Sequence, residues 1–244
     1  NADGFKKSIS APGPGNYLTV AKAVASAVQL LGIDAVRERS FVHAHGSSTP
    51  ANRVTESQLL DRVAEAFDIA DWPVAAVKAY VGHSLAPASG DQLISALGSF
   101  RYGLIPGIKT IDKVADDVHQ QHLRISTQDQ PRESLDLCFL NSKGFGGNNA
   151  SAYVLAPHVV ERMLRKRHGE RVYADYCARR EQTRARASEY DRKALLGELG
   201  IIYNFGHDLI DDTAIAIDQQ QIRVPGFEQP LIYRRDKRYQ DMLD

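Results

Sequence analysis

Two histidines, His45 and His83, each follow a short apolar run and open a loop of small and hydroxyl residues. The segments are Phe41-Val-His-Ala-His45-Gly-Ser-Ser-Thr-Pro50 and Val77-Lys-Ala-Tyr-Val-Gly82-His83-Ser84. A third loop of the same character follows, Asn141-Ser-Lys-Gly-Phe-Gly-Gly-Asn-Asn149. Glycine after a strand end lets the backbone come close to a ligand. A neutral imidazole placed there can donate a hydrogen bond to an oxygen on which negative charge develops. The three loops together point to acyl-transfer chemistry. Such chemistry also needs a nucleophile, and none stands out. Cys138 lies in the middle of an apolar run and reads as an inert core thiol, and Cys177 lies in a charged stretch.

Other residues have competing readings. His43 precedes His45 by two positions, and a His-x-His pair can bind zinc, but no third ligand of suitable type is evident. A packed neighbour is the favoured role, and neither a metal nor a cofactor is expected. Lys78 sits in an apolar run, where a buried ammonium is costly unless paired. Glu56, on the helix after the first loop, is the candidate partner; the alternative is a surface lysine at a strand end. Gly144-Phe-Gly-Gly147 lacks the Gly-Lys-Ser/Thr ending of a phosphate loop. It reads instead as a flexible loop whose Phe145 gates a pocket. His119 and His122 stand at helical spacing from Asp116 and Asp117 and read as a solvated helix face.

These loops need elements to position them. Asn16 is the expected cap of a helix over Tyr17–Leu31, with Gly32 as its stop. Ser40–His45 and Val74–Ala79 read as short buried strands. Thr55–Phe67 reads as an amphipathic helix with Leu59, Leu60, Val63, Ala64 and Phe67 on one face. Pro87–Tyr102 reads as a buried helix ended by Gly103. Leu135–Leu140 and Ala150–Leu155 read as two strands with a tight connection. The alternation predicts an α/β layered fold up to about residue 156. The character changes at Pro157. Glu161–Lys193 holds eleven Lys or Arg and six Asp or Glu, and is expected to form a surface helix broken near Gly169. Leu195–Tyr203 is expected to dock back on the domain, and Arg223–Asp244 to form an extended strap. The domains expected are thus residues 1–157 and an appendage, 158–244.

Composition bounds the function classes. Thirty basic and thirty acidic side chains cancel, which gives no whole-chain case for nucleic acid or an anionic membrane. No apolar run approaches the roughly 20 residues of a membrane span, and the first residues lack the apolar core of a signal peptide. Two cysteines are too few for a disulfide scaffold, and a reducing cytoplasm is the default compartment. The chain starts on Asn1 and reads as a piece of something longer.

In order and spacing, these motifs resemble the C-terminal half of the β-ketoacyl-acyl carrier protein synthases, condensing enzymes of the thiolase superfamily. His45-Gly-Ser-Ser-Thr-Pro50 with Glu56 is similar to the family's His-Gly-Thr-x-Thr-Pro segment and its following Glu. Lys78 with Gly82-His83 is similar to its Lys-x-x-x-Gly-His segment. Leu104-Ile-Pro106 and the Asn141–Asn149 loop match two further segments, and Asp3-Gly4 fits the start of that half. The resemblance covers about residues 3–156. It implies a thiolase-like layered fold, with a mostly helical C-terminal extension in this chain.

The activity implied is decarboxylative Claisen condensation in fatty-acid or polyketide synthesis. His45 and His83 would hold the thioester oxygen, Lys78 would pair with Glu56 and hold His83, and Phe145 would gate the acyl pocket. Gly144, Gly146 and Gly147 would form the substrate loop. The implied partners are acyl carrier protein with its thioesters, an N-terminal half bearing the cysteine nucleophile, and a second copy in a homodimer. Without that nucleophile, the chain alone is expected not to condense. Departures from the pattern are Lys143 for an aromatic, Arg53 for an acid, Leu85-Ala-Pro87 for Glu-Gly-Ala and Asn148 for threonine. The rivals are a non-catalytic, chain-length-factor-like paralogue and another thiolase-fold acyltransferase. The basic stretch either steers an acidic carrier or is a solvated surface.

Overall fold

The computed structural model describes residues 13–47, 49–144, 147–200 and 205–233. They fall in two compact units, residues 1–175 and 176–244. The first unit begins with α1 (Pro14–Leu31), α2 (Ile33–Glu38), β1 (Ser40–His43), α3 (Pro50–Ala66) and β2 (Trp72–Ala75). A one-turn helix α4 (Lys78–Val81) and α5 (Ala88–Tyr102) follow, then β3 (Leu104–Ile105), β4 (Leu123–Ile125), β5 (Gln130–Pro131), β6 (Leu137–Gly144) and β7 (Asn148–Leu155). The main sheet has the order β4-β2-β1-β6-β7. Its first four strands are parallel, and β7 returns antiparallel along β6.

Strand residues alternate between two cores, as a pleat requires. Val42, Leu137 and Phe139 pack with Val20 and Val24 of α1 and Leu59 and Leu60 of α3. Phe41, Cys138 and Leu140 belong to a second cluster, with Ala96 and the half-buried Phe100 of α5. Each fully buried Leu or Phe contributes about 1.5–3 kcal/mol. Trp72 is fully buried and donates its indole N–H to Ser40 Oγ at 3.0 Å. The sheet with helices on both faces is the α/β layering expected, and Cys138 is the core thiol expected. Its burial pushes the thiol pKa well above the ordinary value.

Several boundaries differ from the sequence reading. The first helix starts at Pro14 with Gly13 as cap, because proline suits the first turn of a helix. Asn16 is therefore not the cap but a buried residue inside the helix. The strand expected over Val74–Ala79 stops at Ala75. Its ladders with β1 and β4 end there, so the following backbone pairs locally. Ala79 N donates to Ala76 O, Tyr80 N to Val77 O and Gly82 N to Lys78 O. Lys78 thus lies on a helical turn, not a strand. His119 and His122 lie on no helix. Their backbone N–H groups are tied to Ser57 Oγ and to Asp61. The helices before Gly32 and Gly103 stop where expected, each glycine at positive φ.

Helix α6 (Pro157–Leu195) runs from the first unit into the second and breaks at Gly169, which takes φ 80° and ψ 160°. Its arginines are partly paired along the surface: Arg184 with Glu181, and Arg192 with Glu189 and Glu198. In the second unit, β8 (Ala216–Ile217), β9 (Gln221–Arg223) and β10 (Leu231–Ile232) form an antiparallel sheet. A small sheet thus replaces the first part of the expected strap; residues 234–244 lie outside the described residues. Leu195 and Leu196 are exposed, and 201–204 lie outside the described residues. Among the described residues, no helix is long and apolar enough to cross a membrane.

Candidate active site

The carboxyl ends of β1 and β2 and the β6–β7 hairpin converge on one place. β1 ends at His43, and the chain turns through Ala44 and His45 to Gly46, which takes φ 55°. Thr49 caps α3, with Pro50 in its first turn. Two turns into that helix lies Glu56, 3% exposed. Its carboxylate accepts from His45 N at 2.6 Å and Gly46 N at 2.9 Å. It also accepts from Asn52 Nδ2 at 2.9 Å and Asn141 Nδ2 at 2.7 Å. Four donors on one carboxylate fix the backbone of the histidine loop.

Lys78 opens α4 and is buried, 5% exposed. Its Nζ donates to His45 O at 2.5 Å and lies 3.1 Å from His45 Nδ1. No ion pair joins Lys78 to Glu56, and Lys78 does not hold His83. Both corrections have one cause: each side chain is spent on the His45 loop, Glu56 on its N–H groups and Lys78 on its carbonyl and ring. Burial holds the Lys78 pKa below the usual ammonium range, and the nearby Glu56 charge opposes that shift.

His83 follows Gly82, which takes φ 73° and turns the chain out of α4. Its Nδ1 accepts from Leu85 N at 3.0 Å. Leu85 is itself at φ 64°, a strained conformation for a leucine. The His45 and His83 rings stand 5.3 Å apart, edge to face at 81°. Both line a cavity of about 350 Å³ with Ser89, Ser142, Gly144 and Asn149.

The hydrogen bonds set the tautomers. His45 Nδ1 faces two donors, Lys78 Nζ and the backbone N–H of Lys143 at 3.3 Å. His83 Nδ1 faces the Leu85 N–H. A nitrogen that accepts carries no proton, so each neutral ring carries its proton on Nε2. Burial, and then the Lys78 cation, push the His45 pKa down to about 4. His45 therefore stays neutral, a donor at Nε2, throughout the physiological range.

His43 is fully buried, edge-on to Phe41 with ring centroids 5.4 Å apart. It is the packed neighbour expected, and burial lowers its pKa to about 4. Gly144 and Gly147 flank the hairpin turn, Gly147 at φ 82°. Phe145 and Gly146 lie outside the described residues. Lys143 extends its Nζ to Asn52 Oδ1 at 3.1 Å and Thr55 Oγ1 at 3.3 Å.

Asn52 and Gln92 were not among the expected site residues, and Asn141 was read only as part of its loop, with no role of its own. Gln92 is fully buried and donates to Ala44 O and Asn141 O. A lone amide in a largely apolar helix was the signal for it.

Because His43 and His45 are buried neutral, stability depends on pH. Between about pH 4 and 6.5 the unfolded chain binds more protons at these two rings than the folded one. Stability is then full above pH 6.5 and is lost as the pH falls toward 4. Between pH 7 and 5.5 the loss is about 1 kcal/mol for each ring. Thermal melts at the two pH values measure it, and His43→Leu should remove about half of the difference. Equal melting temperatures would contradict the burial of neutral rings.

The site thus combines a sheet whose carboxyl edge carries two loop histidines, a lysine on the ring and carbonyl of His45, and the β6–β7 hairpin residues Ser142, Lys143 and Gly144. Residues 1–112 match the family model "Beta-ketoacyl synthase, C-terminal domain". The chain is 71% identical over its full length to the β-ketoacyl-[acyl-carrier-protein] synthase FabY of Pseudomonas aeruginosa, and spans 39% of that protein. The crystal structure of that ketosynthase superposes with a TM-score of 0.87, covering 100% of this chain and 38% of the other. A ketosynthase from module 6 of the Bacillus subtilis bacillaene synthase shares the fold at 20% identity, with a TM-score of 0.53. There the match covers 64% of this chain and 30% of that one.

Proposed function

We propose that this chain supplies the oxyanion-binding part of a β-ketoacyl-acyl carrier protein synthase. The observation that carries the reading is the pair of Nε2–H donors, His45 and His83, facing one cavity. A malonyl thioester enters that cavity with its carbonyl oxygen about 3 Å from both nitrogens. The bond to the carboxylate breaks, carbon dioxide leaves, and its electron pair forms an enolate. The negative charge rests on the oxygen that His45 and His83 hold. The enolate carbon then attacks an acyl thioester on a cysteine supplied by the rest of the synthase. A carbon–carbon bond forms and the cysteine thiolate leaves.

Lys78 and Glu56 act as positioning residues here, fixing the ring and backbone of His45. The partners in this reading are acyl and malonyl carrier proteins, the nucleophile-bearing half and a second copy of the protein, in the cytoplasm. An apolar face supports the missing half: α5 leaves Ile94 71% and Leu97 48% exposed. The assay is the full-length protein with acyl- and malonyl-carrier protein. Release of carbon dioxide with a product longer by two carbons is expected. Acyl exchange without extension would assign it to another thiolase-fold acyltransferase, and no turnover at all to a chain-length-factor-like paralogue.

A further inference from the structure

Behind the His45 loop lies a second cavity, of about 540 Å³, at the carboxyl ends of β1, β2 and β4. Open α/β sheets bind ligands at such edges. One wall is apolar, with Val74, Leu123 and Ile125 from the sheet, Leu60 from α3, and Ile111 and Val118 from the segment before β4; Asn52, Ser57 and Thr110 add polar groups. Its floor carries Glu56 and Lys78. Every oxygen of Glu56 is already occupied by two donors. Lys78 is different. An ammonium has three donors, and the two hydrogen bonds of Lys78 both go to His45. One N–H is left over, on a group that borders the cavity. The charges at the mouth cancel, since Arg53 pairs with Asp117 and Lys113 with Asp116. The Lys78 ammonium is therefore the group that selects a ligand head.

We propose that this cavity binds an alkyl carboxylate of medium length, its head on Lys78 Nζ and its chain against Val74, Leu123 and Ile125. An acceptor that is charged gains most from a buried ammonium, and the apolar wall suits a saturated chain. This site is separate from the His45–His83 pocket, and the proposal does not depend on the reaction assigned there. Lys78 nonetheless joins this cavity to His45, so occupancy reaches that ring through its Nδ1 and carbonyl.

Calorimetric titration of the chain with decanoate tests the proposal, with 1-decanol as the uncharged comparison. One decanoate per chain is expected, at least about tenfold tighter than the alcohol. The His45 ring ¹⁵N resonances should move in the same titration and saturate at the same concentration. Val118→Trp fills the cavity from a half-buried position and should weaken decanoate at least about tenfold. Ala115→Leu, a smaller plug, should weaken it less. The proposal is overturned if decanoate does not saturate, if the alcohol binds equally well, or if a folded Val118→Trp protein binds decanoate as the parent does.

Discussion

Replacing His83 by alanine in the full-length protein is expected to lower condensation by at least about 10²–10³-fold, the typical loss when one oxyanion donor is removed. His45→Ala is expected to cost as much or more. His45 is the more tightly held of the two, fixed by Glu56 through its N–H and by Lys78 through its carbonyl and ring. Neither variant removes the thiol that accepts the acyl group, so labelling with a radioactive acyl thioester should persist in both. This separation of steps distinguishes an oxyanion role from a general failure of the site. Normal extension by either variant would remove the histidine from the chemistry. Loss of labelling and extension together would mean that the histidines serve the first half-reaction instead.

Glu56→Ala is expected to be the most destabilising single change near the site. It leaves four donors without their acceptor: the backbone N–H groups of His45 and Gly46, and the amides of Asn52 and Asn141. It also removes the nearest negative charge from the buried Lys78, whose pKa that charge raises. Removing one member of a buried charged network costs about 3–5 kcal/mol. For a chain of this size, that lowers the melting temperature by roughly 10 °C. Glu56→Gln keeps the shape and one acceptor oxygen and should lose less. A melting temperature unchanged in Glu56→Ala would show that the clamp on the His45 loop carries no stability.

The site was legible in the sequence to the extent that it depends on local chain properties. Glycine and hydroxyl residues after apolar runs located His45 and His83, and the structure brings their rings within 5.3 Å. Helix ends were legible where glycine must take positive φ, at Gly32, Gly103 and Gly169. What the sequence did not reveal depends on where ladders end. Val74–Ala79 has the composition of a strand, but only Trp72–Ala75 finds partners, so Lys78 lands on a helical turn. That rotation directs its ammonium to His45 rather than to Glu56. Opposite charges in a sequence suggest a pair, but Glu56 satisfies backbone N–H groups instead, and a sequence does not display those. The helical spacing of Asp116, His119 and His122 misled for the same reason. Their backbone is held by Ser57 and Asp61, side chains some sixty positions away.

His45 and His83 present Nε2–H groups to one cavity, held that way by the donors on Nδ1. Imidazole ¹⁵N chemical shifts of the labelled protein measure this directly. At pH 7 His45 is predicted to show a protonated Nε2 and an unprotonated Nδ1, and to keep that form at pH 5.5, since its pKa lies at about 4; in its neutral form His83 is predicted to carry its proton on Nε2. A proton on Nδ1 of either neutral ring, or a charged His45 at pH 5.5, would contradict the account.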